Sequence, residues 1–96
     1  MTQSRSVAER LRSKFEAAFA PQELVIEDES ARHAGHSGAR EGGESHFRVR
    51  IVSSAFEGLS RVERQRRVYD LAKDEIAEGL HALALTTLTP DEARGR

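Results

Sequence analysis

Four histidines and a short run of arginines are the residues of this 96-residue chain whose types and spacing invite chemistry. His33 and His36 stand three apart in a glycine-rich stretch, His46 opens an alternating apolar segment, and His81 follows Gly79-Leu80. Neutral imidazole is a ligand for zinc, copper, iron and nickel alike, so the residue type opens a metal reading without naming the metal. The chain has no cysteine, which removes thiolate ligands, thiol nucleophiles and any disulfide framework. Arg61, Arg64, Arg66 and Arg67 crowd the start of a helix, where basic side chains and a helix N-terminus together attract phosphate or an acidic partner. The bland alternative is a solvated helix face, with Arg66 offset by Asp70 one turn on.

Other chemistry is thin. Gly35-His36-Ser37-Gly38 matches the G-x-x-G string that clamps a nucleic-acid backbone in KH domains. There it joins two helices, whereas here it joins two strands, so it reads as a chance match. The sequence holds no phosphate-binding glycine loop, no nucleophile with a base motif and no zinc-protease spacing. The chain therefore reads as a non-enzyme without a small-molecule substrate. Fifteen basic against sixteen acidic side chains give a net charge of −1, which argues against a general nucleic-acid scavenger but leaves room for a local basic patch. No apolar run approaches a membrane span and no signal-peptide hydrophobic region opens the chain, so the cytosol is the expected setting.

The elements that must position these side chains follow from periodicity. With 38% hydrophobic and 32% charged residues, residues 1–96 are expected to form one globular domain with its core over about 5–90. Ser6-Val7-Ala8-Glu9 is a capping box, and Val7, Leu11, Phe15, Ala18 and Phe19 recur at helical spacing behind it until Pro21 ends the helix. Leu24 to Asp28 reads as a short strand. Residues 30–45 lack periodicity and read as a mobile loop. His46 to Val52 alternates cleanly, with Phe47, Val49 and Ile51 toward a core and His46, Arg48 and Arg50 outward. A second capping box, Ser60 with Glu63, opens a helix whose expected buried stripe is Val62, Val68, Tyr69, Ala72 and Ile76, closed by Gly79 as a left-handed cap. His81 to Leu88 reads as a third strand, and Pro90 starts a short, frayed helix over 89–96. The expected fold is α+β, in the order α-β-β-α-β-α, with a three-stranded mixed sheet packed by helices.

That order has a consequence for the histidines. Two strands joined directly pair antiparallel, whereas a β-α-β crossover makes parallel neighbours. The starts of strands two and three and the end of strand one then share one end of the sheet, and all four histidines gather there. His46, beside Arg48 on the outward face, reads as structural or solvated, and His81 also suits a helix C-terminal cap. A ligand pair drawn from His33, His36 and His81 remains, and two imidazoles make an incomplete site that a partner would finish.

Asp28-Glu29-Ser30 with His33, Ser45-His46-Phe47-Arg48-Val49, Phe56-Glu57-Gly58, Arg61-Val62-x-Arg64 with Val68-Tyr69, and His81-Ala82-Leu83-Ala84-Leu85 together resemble the BolA family over roughly residues 24–90. The resemblance implies a KH-like fold, class II-like and without a working G-x-x-G. It implies a heterodimer with a monothiol glutaredoxin and a shared [2Fe–2S] cluster, held on one side by the glutaredoxin cysteine and glutathione. His81 and His33 match the family's ligands on the other side, with no cofactor in the isolated protein. Imidazole in place of thiolate raises the potential of such a centre. The longer loop, with Gly42 and Gly43, makes His36 a competitor for His33, and Gln65 departs from the histidine that many relatives carry there. Because some BolA-like proteins are described as transcription factors, DNA binding through Arg61 to Arg67 is the alternative function.

Overall fold

The computed structural model describes residues 6–29 and 46–95. The expected loop 30–45, with His33, His36 and the G-x-x-G string, lies outside the described residues. The elements run α1 (Val7–Phe19), β1 (Glu23–Asp28), β2 (His46–Val52), a 3-10 turn (Ser54–Phe56), α2 (Arg61–Leu71), α3 (Lys73–Ala77), β3 (Ala82–Leu88) and α4 (Pro90–Ala93). The α+β expectation holds, with one correction: the long second helix divides at Ala72 into α2 and α3. The sheet order is β1-β2-β3. β1 pairs antiparallel with β2, Asp28 opposite Phe47, and β2 pairs parallel with β3, His46 opposite Ala82.

Local chemistry explains the boundaries. Ser6 and Glu9 exchange hydrogen bonds at the start of α1, and Ser60 and Glu63 do the same at α2, so each box satisfies two backbone donors that the first turn leaves orphaned. A third box, Thr89 with Glu92, opens α4 behind Pro90. α1 stops because Pro21 disfavours helical dihedrals in the residue before it; Ala20 swings to φ 42°, ψ 56° and donates to the Glu16 carbonyl at 3.0 Å. α3 stops at Gly79, whose φ is 126°. The Gly79 and Leu80 amides return to the Ile76 and Glu75 carbonyls at 3.2 and 3.0 Å, the two bonds of a Schellman cap.

The helices cover one face of the sheet. Leu11, Phe15 and Phe19 of α1 and Val68 and Ala72 of the α2–α3 segment bury against Phe47, Val49, Ile51 and Leu83, with Phe56 closing one end. The rings of Phe19 and Phe56 lie 4.9 Å apart. Buried Ser53 donates to the Phe19 carbonyl at 2.6 Å and accepts from Ala55 at 3.0 Å, joining the end of α1 to the turn after β2. The other face presents Arg48 in an ion pair with Glu29 and Arg50 in one with Glu23. Side chains also meet the outer edge of β3: the Tyr69 hydroxyl donates to the Leu83 carbonyl and Arg64 to the Thr87 carbonyl, each at 3.0 Å.

The buried stripe of α2–α3 differs from the expected one. Val68 and Ala72 are buried as anticipated, but Val62, Tyr69 and Ile76 are 57, 41 and 40% exposed, and Ala18 of α1 is exposed too. Arg64 and Glu75 lie on the buried face instead, 6 and 1% exposed. Val62, Tyr69 and Ile76, seven residues apart, form their own row about 100° around the helix from it. Glu75 is buried because α1 supplies its partners: Lys14 donates at 2.8 and 3.0 Å and the Arg10 guanidinium at 3.1 Å. Burial alone would raise the Glu75 carboxyl, but the hydrogen bond from Lys14 and the charges of Lys14 and Arg10 outweigh it and hold the group below the ordinary 4.5.

Glu75→Ala therefore leaves two cations facing a void between α1 and α3. Because Lys14 and Arg10 are themselves about a third exposed, the loss is expected at about 2–3 kcal/mol rather than the full penalty of an unpaired buried charge. Urea denaturation at pH 7, wild type against variant, measures it.

Candidate functional site

Of the four arginines proposed to face an anion, the structure leaves three outward. Arg61, Arg66 and Arg67 are exposed on α2. Arg64 is corrected: its guanidinium points into the domain and spends four of its five N–H groups on protein acceptors. Nε donates to the Leu59 carbonyl at 3.0 Å, Nη1 to the Thr87 carbonyl at 3.0 Å and to Glu92 at 2.7 Å, and Nη2 to the other Glu92 oxygen at 3.1 Å. Its carbon lies 5.9 Å from the centre of the Phe56 ring. A planar fork with five donors matches such a divided set of acceptors, which an ammonium would not. The Arg64 bonds and the Thr89 amide hold the Glu92 carboxyl down at about 2. Asp70, the expected counter-charge of Arg66, pairs with Lys73 at 3.2 Å.

His81 is exposed and stands one residue before β3, at the foot of the α3 cap. The parallel register sets Ala82 opposite His46, and the two imidazoles meet with ring centroids 5.9 Å apart and planes inclined by 23°. His46 is half-buried, and its carbonyl accepts from the Glu29 amide at 2.8 Å, one step beyond the β1–β2 ladder. The expectation that topology gathers histidines at one end of the sheet is met for His46 and His81; the part concerning His33 and His36 falls outside the described residues. The sequence reads His46 as structural or solvated; the structure half-buries it and sets its ring against that of His81, a contact that the register of β2 and β3 makes.

A groove of about 220 Å³ runs beside His81, lined by Tyr69, Ile76, Leu80, His81, Ala82 and Leu83. Its apolar wall is the lower half of the exposed row on α2–α3. Among the described residues no three histidines, cysteines or carboxylates gather as a metal site, and no helix is long and apolar enough to cross a membrane. His46 and His81 thus offer imidazole donors of a kind that suits zinc, copper, iron and nickel alike.

A sheet of this order, packed by helices on one face and crossed so that a solvent-facing histidine stands at a strand start beside a groove, defines a small α+β domain. The chain belongs to the BolA-like protein family, whose pattern matches residues 15–92. Protein BOLA1, chloroplastic, of Arabidopsis thaliana is 49% identical over 88 residues, spanning 90% of this chain and 55% of that protein, so the chain covers about half the length of that relative. The DNA-binding transcriptional regulator BolA of Haemophilus influenzae is 40% identical over 87 residues, 91% of this chain and 81% of that one. The solved BolA domain of SufE1 from Arabidopsis thaliana superposes with a TM-score of 0.80 at 48% identity, covering 94% of this chain and 99% of that one.

Arg64→Ala strips the Thr87 and Leu59 carbonyls and Glu92 of their shared donor, and is expected to destabilise the domain by about 2–3 kcal/mol in urea unfolding. The Glu92 carboxyl adds a pH signature. Its folded-state value, about 2, lies below the ordinary 4.5, so its contribution is full above that range and is lost as pH falls through the folded value. The gap in melting temperature between wild type and Glu92→Gln should stay constant from pH 7 to about 5 and shrink toward pH 2.

Proposed function

We propose that this chain is an iron–sulfur adaptor that forms a heterodimer with a monothiol glutaredoxin. His81, with His33 from the segment 30–45, supplies this chain's ligands to a [2Fe–2S] cluster, and the glutaredoxin cysteine and glutathione hold the other side. The observation that carries the reading is His81 itself: an exposed imidazole, set on a strand start by the parallel register, at the rim of a groove walled by Tyr69 and Ile76. Membership of the BolA-like family supports it, as does the absence of cysteine, which leaves imidazole as this chain's only soft nitrogen or sulfur donor apart from Met1. The adaptor presents ligands and a docking face and performs no catalytic step. A cytosolic setting and a role in cluster trafficking or iron homeostasis belong to the same proposal.

The test is an anaerobic titration of the full chain into cluster-loaded monothiol glutaredoxin, followed by visible absorption and circular dichroism. The wild type is expected to change both spectra at one equivalent, His81→Ala to abolish the change, and Ile76→Asp to weaken association by placing a charge on the groove wall. An unchanged spectrum with the wild type overturns the reading.

A second reading is DNA binding through Arg61, Arg66 and Arg67, favoured by their exposure on α2 and by the name of the Haemophilus relative. Three phosphate contacts give a log–log salt slope no steeper than about −3. Arg66→Ala is expected to reduce that slope by about one unit, whereas a flat salt dependence removes the reading. Arg64 has no part in it.

A further inference from the structure

We propose that His46 and His81 form a site for a single divalent transition-metal ion of the zinc, nickel and copper class, bound by the isolated protein. The inference stands on the pair itself and does not rest on the glutaredoxin reading, although the two share His81. Two imidazoles on one tetrahedral ion, each bonded at about 2.0–2.1 Å, place their ring centroids roughly 5 Å apart. The observed separation is 5.9 Å with the planes inclined by 23°, about 1 Å from that spacing, and a shared ion requires the two rings to turn edge-on to it. Both residues are carried by paired strands: His46 opens β2, and His81 directly precedes the Ala82 that pairs with it. The Glu29 amide holds the His46 carbonyl from the other side. Such preorganisation removes most of the ordering entropy that a pair on loops would lose on binding.

The ligand class follows from the donors. Imidazole suits zinc, nickel and copper, whereas calcium and magnesium demand oxygen ligands. Among the described residues no third histidine, cysteine or carboxylate joins the pair as a metal site, so the proposed site is one of two imidazoles. The consequence is competition. An ion on this pair occupies the His81 imidazole, so free divalent metal lowers the fraction of the protein whose His81 is open to any other ligand.

The test uses the untagged 96-residue chain alone, titrated with zinc chloride and followed by the histidine ring signals in NMR and by calorimetry. The expected result is one ion per chain, with the His46 and His81 ring signals moving together and saturating. His46→Ala and His81→Ala should each weaken binding at least about tenfold, while Gln65→Ala, on the exposed surface of α2, keeps the wild-type affinity. His46→Gln, checked for a native amide spectrum, separates loss of a ligand from loss of the fold. The absence of saturable binding at millimolar zinc overturns the proposal, as does unchanged affinity in folded His46→Gln, or a loss in Gln65→Ala as large as that in His81→Ala. Because no glutaredoxin is present, failure here leaves the cluster titration to stand or fall separately.

Discussion

Two strands can lie side by side and parallel only if the chain between them travels back to the end from which it set out. In this domain that return journey is made by α2 and α3, and nearly everything else follows from it. The crossover lays Val68 and Ala72 over the core face of the sheet and ends in a Schellman cap at Gly79. That cap delivers the chain to His81 directly beside the start of β2. The imidazole contact is therefore a product of topology, made by residues 35 positions apart that no short motif connects.

The crossover is anchored by polar side chains at both ends, and the two anchors differ in kind. At the start of α2, Arg64 collects two backbone carbonyls and a carboxylate, tying the helix to β3 and to α4. At the far end, Glu75 of α3 collects a lysine and an arginine from α1. Each places a formal charge on the face of the helix that should be greasiest, and each is tolerated because its partners are supplied in full. Among the described residues no buried side-chain nitrogen or oxygen lacks a hydrogen-bond partner. The apolar residues displaced from that face, Val62, Tyr69 and Ile76, are left outward, and the last two wall the groove at His81.

This exchange explains what could be read from the sequence and what could not. Capping boxes are local, spanning four residues, so Ser6–Glu9 and Ser60–Glu63 were legible, as were the alternation of Phe47, Val49 and Ile51 and the parallel crossover. The buried stripe of α2–α3 was not. Periodicity counts apolar types, and a helix that buries Arg64 and Glu75 breaks the count; only the carbonyls of β3 and the cations of α1, distant in sequence, reveal why those charges turn inward. The same blindness made Arg64 look like a phosphate ligand. His81 could be placed from strand order alone, while the contact of His46 with it needed the register as well.

The outer edge of β3 carries one more consequence. A strand at a sheet boundary is ordinarily an open template, ready to recruit another strand from a second copy and so to polymerise. Here the Tyr69 hydroxyl and the Arg64 guanidinium each occupy a carbonyl along that boundary, at Leu83 and Thr87. An incoming backbone at this boundary would have to displace both. Of the two boundaries of the sheet, the one along β3 is thus partly occupied by side chains of its own crossover helix, and the other is β1.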